Sequence, residues 1–531
     1  MFSSLMTTRR FAPLFWCQFL SALNDNFVKN ALVMLILFGI GTNGGSALVP
    51  LAGAVLIAPF FFLSALGGEL ADKHDKAWLA SRLKLAEIPI AGVAAAGFLM
   101  HSVPVLFVAL AGYGIVGALF GPIKYGILPV HLRLEELPAG NALVEGATFL
   151  AILIGTIAGG LAATNSGTPW LMAGLVMVLA VACWLTARLI PASGRAAPDL
   201  VVTRNPLTST FHLVRDLKSD RRLWIGGLIT SWFWLVGAVA LSLQPQVMKD
   251  AVGGTETVIT LGLVVFTIGI AVGSALAARA SKERPNLALV PIGALLMGLF
   301  LLDLALTVST LESPRQPIDA AAFLASVSGW RILVDFGGLA VAGGLFIVPS
   351  FAAVQAWAPE DRRARVIAAC NVIGAAFMAA ASLAVTGLQL QGVGLSALLA
   401  ALGLANLIVV GLVLRAWGRE GVQDIALFLF KTFLRLEVTG RENLPKPGEK
   451  AIIAPNHVSL IDAPLMHAIL PSHAAFAIDT GMARTWWVRP FLKLVKAHPI
   501  DPTKPLGTRH LINAVKDGQS LVIFPEGRLT V

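Results

Sequence analysis

Apolar residues dominate long, regularly spaced blocks of the first 416 positions, separated by short polar connections. Twelve blocks run at 11–40, 47–71, 79–101, 103–130, 142–164 and 168–191, then at 223–247, 256–280, 287–310, 327–352, 364–388 and 393–416. At about 1.5 Å per residue each is long enough to carry a helix across a hydrocarbon core about 30 Å thick. The segment 192–222, rich in charge and proline, parts them six and six, as expected of a carrier built from two related halves. After Trp417 the pattern changes. Gly421 to Arg435 reads as an amphipathic helix suited to a membrane surface, and Pro445, Pro447 and Gly448 mark a linker. Two short apolar runs, Ala451 to Ala454 and Ser520 to Phe524, read as buried strands. The expected organisation is a six-helix half over 1–191, a linker over 192–222, a second half over 223–416, an amphipathic helix and linker over 417–450, and the start of an α/β domain over 451–531.

Composition agrees with an all-α polytopic membrane protein: 56% of the 531 residues are hydrophobic and only 13% are charged. The net charge of +10 does not point to nucleic acid, because Lys and Arg follow the apolar blocks. Arg9 and Arg10 precede the first block, Lys73, Lys76, Arg82 and Lys84 fall around the second connection, and Arg133 lies in the fourth. The central segment and the later connections on the same side add Arg195, Arg215, Lys218, Arg221, Arg222, Arg279, Arg284, Arg362, Arg363 and Arg365. Opposite connections hold little beyond Lys249 and Arg315. The positive-inside rule then makes both termini and the central segment cytoplasmic. Cys17, Cys183 and Cys370 all fall within blocks and are expected to pack. Arg9 and Arg10 start the chain as they would a secretion signal, but no small-residue cleavage site follows, so the first helix is expected to stay. No metal site is expected.

Ionisable residues inside spans are costly, roughly 2.5 to 3.5 kcal/mol at a helix centre on insertion scales, and therefore point to function. Asp25 and Lys29 are spaced i, i+4 in the first span, either neutralising each other or, with Asn26, contacting a substrate headgroup or coupling ion. Arg331 and Asp335 repeat that spacing in the tenth span, where snorkelling is the alternative. Lys124 sits in a broken-looking stretch beside Gly121, Pro122 and Tyr125 with no acid at helical spacing, which makes it a phosphate candidate, and Glu145 in the fifth span is its candidate partner. Asp303 and Glu87 are weaker candidates of the same kind.

Gly68-Glu69-Leu70-Ala71-Asp72-Lys73 recurs weakly as Gly273-Ser274-Ala275-Leu276-Ala277-Ala278-Arg279, and Pro122 and Asn141 are echoed by Pro349 and Asn371. Gly68, Asp72 and Lys73 resemble the loop motif of the major facilitator superfamily, in which the acid caps a helix and bases hold a gate closed. This resemblance implies the twelve-helix fold of that superfamily. Gln18 to Asn26, Lys124 to Leu128 and Asn141 to Gly146 further resemble the bacterial lysophospholipid transporters, over roughly residues 10–416. That family implies an inner-membrane protein moving lysophosphatidylethanolamine and related lipids to the cytoplasmic leaflet for reacylation.

The tail carries Asn456-His457-Val458-Ser459-Leu460-Ile461-Asp462 and, after the second strand, Phe524-Pro525-Glu526-Gly527-Arg528. A histidine beside a carboxylate can take a proton from an alcohol while the acid orients the ring and stabilises the imidazolium. Five residues apart, the pair would splay on one helix, so His457 is expected in a turn and Asp462 in the helix beyond it. These motifs resemble the glycerolipid acyltransferase family. By that resemblance His457 is the base, Asp462 its orienter, and Asn456, Glu526, Gly527 and Arg528 belong to the acceptor site. The family's phosphate-binding arginine has no direct counterpart after Asp501, so Lys504 or Arg509 would supply the charge. The tail resembles the opening of the acyltransferase portion of fused transporter, acyltransferase and acyl-carrier-protein ligase proteins. Because it stops at Val531, before the later strands of such domains, efficient catalysis is not expected of these residues alone. No bound cofactor is implied; the donor would be an acyl thioester of carrier protein or coenzyme A.

The leading expectation is a lysophospholipid carrier feeding a fused acyltransferase. A major facilitator exporter of amphipathic compounds would leave the tail unexplained. An acyltransferase merely anchored by its spans would leave the buried charges unexplained.

Overall fold

The computed structural model describes every residue except 1, 40–47, 165–168, 204, 282–283, 312–316, 441–442, 446–448, 471–473, 487, 490–491, 493–494, 502–507, 518–519 and 527–531. The chain forms two compact units, 1–285 with 289–410 and 286–288 with 411–531.

In the first unit the apolar blocks become helices α1 (Ala12–Gly39), α2 (Leu48–Lys73), α3 (Lys76–Leu99), α4 (Val103–Gly126), α5 (Leu137–Thr164) and α6 (Pro169–Arg188). A linker helix α7 (Pro206–Ser219) follows, then α8 (Arg221–Gln246), α9 (Glu256–Ala280), α10 (Leu289–Thr310), α11 (Val327–Trp357), α12 (Arg363–Leu390) and α13 (Leu395–Phe433). Among the described residues ten helices are long and apolar enough to cross a membrane by length and composition; α1 and α3, which carry Asp25, Lys29, Lys84 and Glu87, are the long helices outside that group. Polar side chains define several starts: Asp75 accepts from Trp78 N to cap α3, Asn205 caps α7, Asp220 caps α8 and Ser326 caps α11. Within the halves α1 packs on α5 and α2 on α4, mirrored by α8 on α12 and α9 on α11. Between the halves α2 meets α12 and α5 meets α9, two contacts that exchange under a pseudo-twofold.

Close helix approach rests on small residues. A Cβ on Gly68 would stand 2.7 Å from Ala368 Cβ and 3.0 Å from Ala364 O of α12, across the two halves. Its sequence echo Gly273 instead lets α9 meet α11 at Val341, inside one half. Two expectations change here. The central segment is no plain loop, since α7 is a 14-residue helix with Leu213 and Leu217 buried against both halves. Lys84, grouped above with the basic connections, is wholly buried in α3 and pairs with Glu87 at 2.6 Å.

In the second unit the expected separate amphipathic helix is the continuation of α13, which runs unbroken to Phe433. Gln423 faces inward there, its Nε2 donating to His467 O at 2.6 Å and also to Leu470 O. The remainder is a parallel sheet, with β1 (Ile452–Ile453), α14 (Asp462–Ile469), β2 (Ala475–Asp479), α15 (Thr480–Arg484), β3 (Lys496–Ile500), α16 (Thr508–Lys516) and β4 (Leu521–Val522) in chain order. Strand order is β1-β4-β2-β3, with Ile452 opposite Leu521 and Ala475 opposite both Leu521 and Lys496. Parallel neighbours require crossovers, which the intervening helices supply. Leu470, Phe476, Val495 and Val522 pack on one face, and Ala475, Leu511 and Leu521 on the other. The strands β2 and β3 are additions to the sequence reading. Pro499 obscures β3, and its place on an edge strand is where a missing N–H is tolerated.

Candidate functional site

The first unit encloses a cavity of about 330 Å³ between its halves. From α1 come Gln18, Ser21, Asp25 and Asn26, from α4 Phe120, Gly121, Lys124 and Tyr125, and from α5 Thr148 and Ile152. The second half contributes Trp234, Asn371, Gly374, Ala375 and Met378, and α2 adds Leu56, Ile57 and Phe60. The formal charges on this lining, Asp25 and Lys124, therefore both belong to the first half. The rest is mostly apolar, as expected of a pocket whose few polar groups orient a ligand.

Several sequence pairings are replaced by others. Asp25 and Lys29 make no ion pair among the described residues; Lys29 Nζ donates to Asn26 Oδ1 at 3.2 Å, leaving Asp25 on the cavity wall. Glu145 does not pair with Lys124. Its Oε1 accepts from Tyr125 Oη at 2.6 Å, while Lys124 Nζ lies 3.5 Å from Thr148 Oγ1 and 4.6 Å from the Tyr125 ring centroid. The buried carboxylate is not part of the lining, and its Oε2 has no hydrogen-bond partner among the described residues. Arg331 pairs with Asp303 of α10 rather than with Asp335 one turn away, and none of these three lines the cavity. Both ends of that pair are more than two-fifths exposed, and its neighbour Asp335 is buried.

The Gly68–Lys73 motif reaches across the halves. Asp72, fully buried, accepts from Ala364 N at 3.0 Å and from Arg365 N and Nε at 3.1 Å, capping α12. This satisfies helix N-terminal donors and places an anion at the positive end of the helix. Lys73 makes no ion pair among the described residues; Lys76, at 3.8 Å, is the lysine facing Asp72. The motif's base is thus shifted by three residues.

In the second unit, β1 and β4 are neighbours, so the loops leaving their ends meet although their motifs lie far apart in sequence. His457 lies in the turn after β1 and Asp462 opens α14. Asp462 Oδ2 stands 3.1 Å from His457 Nδ1 and accepts Val458 N and Ser459 N at 2.8 Å each. Desolvation pushes the Asp462 carboxyl up, but the N–H groups of Ser459, His457 and Val458 outweigh it and hold it below the usual carboxylate range. A charged acceptor at Nδ1 fixes the tautomer so that Nε2 is the ring's basic nitrogen. Phe524 packs against the imidazole with ring centroids 4.4 Å apart and the planes tilted by 30°. Asn456 is exposed, and Glu526 keeps Oε2 buried without a hydrogen-bond partner among the described residues. Lys504, Gly527 and Arg528 lie outside the described residues.

Other features escape the sequence reading. Lys84 Nζ also reaches Ser21 Oγ at 2.6 Å and stands 4.4 Å over Phe120, directly behind two lining residues; the i, i+3 spacing to Glu87 was its only signal. Asn141 and Gln355 form a reciprocal amide pair at 2.6 and 3.2 Å between the halves, with Gln355 also donating to Tyr125 O. Nothing local in sequence marks two residues 214 apart as partners.

Comparison with known proteins follows the same division. Residues 14–315 match the family model of the Major Facilitator Superfamily and 435–530 that of Acyltransferase. The lysophospholipid transporter LplT of Pectobacterium carotovorum subsp. carotovorum is 29% identical over 406 residues, 73% of this chain and 86% of that protein. LplT of Serratia proteamaculans is 28% identical over 360 residues, covering 66% and 81%. Among solved structures, the human organic anion transporter MFSD10 superposes with TM-score 0.61 at 14% identity, covering 76% of this chain and 99% of that one. A bacterial homologue of ferroportin gives 0.55 at 18% identity, covering 77% and 98%, a likeness of fold alone. Family match, paired halves and helix order agree: the chain belongs to the Major Facilitator Superfamily, is related to the LplT transporters, and carries an acyltransferase-family domain at its C-terminal end.

Proposed function

We propose that this chain moves lysophosphatidylethanolamine-type lipids across a bacterial inner membrane and presents them to its acyltransferase unit for restoration of the missing acyl chain. The observation that carries the reading is the cavity with one acid, Asp25, and one base, Lys124, on an otherwise largely apolar lining. A zwitterionic headgroup offers an ammonium for Asp25 and a phosphate for Lys124, and an acyl chain suits Leu56, Ile57, Phe60 and Met378. Similarity to the LplT proteins supports the same cargo. The basic connections support cytoplasmic termini and delivery toward the cytoplasmic leaflet. The division into two six-helix halves, a linker, and an acyltransferase unit serves as the working map of these roles.

In the tail, His457 Nε2 takes the proton of the lysolipid's free hydroxyl as that oxygen attacks the thioester carbonyl. The tetrahedral adduct expels the thiolate, which recovers the proton from the imidazolium, while Asp462 holds the ring and stabilises its charge. Glu526 and the following glycine and arginine make the acceptor site, with carrier-protein or coenzyme A thioester as donor.

Proteoliposomes of the full chain test the transport reading. Labelled lysophosphatidylethanolamine is expected to cross the bilayer, and Asp25→Asn or Lys124→Ala to slow it by roughly tenfold to a hundredfold, the equivalent of one charged hydrogen bond of about 1.5–3 kcal/mol. Equal rates in parent, variants and empty liposomes would remove the reading.

A further inference from the structure

Glu69 and the linker helix α7 lie outside the cavity and outside the Asp72 cap. Glu69, near the end of α2, is buried, and both its oxygens face the linker. Oε1 accepts from Ser209 Oγ at 2.7 Å and Oε2 from Thr203 N at 2.6 Å. The same stretch of the first half holds the linker elsewhere: Asp75 Oδ2 accepts from Ser193 N at 2.7 Å and Gly194 N at 2.6 Å, and Asp72 O accepts from Ala197 N at 2.7 Å.

The far end of α7 belongs to the second half. Asp220 closes α7 and caps α8 through Arg222 N and Leu223 N, which leaves no slack between the two helices. Arg362, just before α12, lies 3.3 Å from Asp216 and 3.6 Å from Asp220. Beneath them Leu213 and Leu217 are buried with Ala65 of α2 and with Leu223, Val354, Val366 and Cys370 of the second half. A helix continuous with one half and bonded to a buried acid of the other spans the interface that α2 and α12 must part to open. The exposed Arg362 pairs contribute little, whereas the buried carboxylate loses two charge-assisted hydrogen bonds when the halves separate.

We propose that Glu69 is a gating residue that acts through α7: its carboxylate fastens the linker helix to α2, and this end of the carrier opens only when Ser209 and Thr203 leave it. The pairing adds a second acid to the gate beside Asp72. It rests on the transport reading for its functional arm only.

The test uses the full chain in nanodiscs, with nitroxides on Leu134→Cys and Glu360→Cys, which flank this end from the two halves and replace exposed residues; the native cysteines are buried. Pulsed dipolar spectra of Glu69→Ala are expected to show the long-distance, open population raised about tenfold, with Ser209→Ala and Glu69→Gln raising it less. An unchanged distribution in folded Glu69→Ala overturns the proposal. A second variant is independent of local destabilisation: Glu69→Cys with Ser209→Cys, without nitroxides, is bridged by a short bifunctional methanethiosulfonate, which spans the length of the replaced glutamate and ties α7 to α2 until it is reduced. Lysolipid movement is expected to stop on cross-linking and return on reduction. Undiminished movement by the cross-linked chain also overturns it. If the parent chain moves no lysolipid, the cargo reading fails, and the distance measurement alone decides the role of Glu69.

Discussion

Single side chains set the geometry of the tail's histidine turn. One oxygen of Asp462 collects the His457 ring and two backbone N–H groups, so its charge is what organises the turn. Its depressed native pKa makes the sign clear. The turn is fully stabilised above the unfolded carboxylate value of about 3.9 and loses that stabilisation only as pH falls through the lower native value. The protection factors of the Val458 and Ser459 amides, taken relative to intrinsic exchange at each pH, are therefore expected to fall on acidification only below the ordinary carboxylate range, and to lose that pH dependence in Asp462→Asn. Where acyl transfer is assayed with a thioester donor, His457→Ala is expected to lower it by about 10²- to 10⁴-fold, the usual share of a general base. Transport by the same variant supplies the internal control, since His457 lies outside the cavity lining. Behind that lining, Lys84 and Glu87 pose a different question. Removing one member of a buried pair strands the other, so Lys84→Met is expected to destabilise by about 3–5 kcal/mol, whereas Lys84→Met with Glu87→Leu is expected to recover most of that loss in thermal melts.

Helices decide how the halves meet. Gly68 brings α2 against α12, where a side chain would collide with Ala368 and the Ala364 carbonyl, whereas Gly273 brings α9 against α11 within one half. Equivalent positions in the repeat thus serve different purposes. Gly273→Ala is expected to lower stability by about 1–3 kcal/mol through overpacking, read as a fall in melting temperature. Gly68→Val is expected instead to drive α2 and α12 apart, raising thiol-reagent access to a cysteine placed at Ala368 with a smaller change in melting temperature. The repeat itself was legible from apolar blocks, from Pro122 and Pro349 inside α4 and α11, and from the two glycine motifs. The linker helix was less so, because its amphipathic face is covered by residues of both halves that are remote in sequence.

For the whole molecule, the sequence by itself determined that the first part is built of long apolar helices of the major facilitator type and that the tail changes to parallel α/β structure. Those follow from local properties: a bilayer demands long apolar helices, a parallel sheet demands strands with crossovers, and a buried charge is conspicuous against apolar neighbours. Pairing was decided by the tertiary structure. Asp25 and Lys29 are one turn apart yet do not bond, Lys124 turns from Glu145 to Thr148, Arg331 prefers Asp303 to Asp335, and Lys76 replaces Lys73 beside Asp72. In each case helical spacing or motif register fixed only which face a residue could occupy. Which neighbour it meets depends on how another helix, distant in sequence, is rotated and how closely small residues let it approach. The same reason separates the two histidine-motif residues, joined by a local turn the sequence specifies, from Asn141 and Gln355, which meet only because two halves of the fold close on each other.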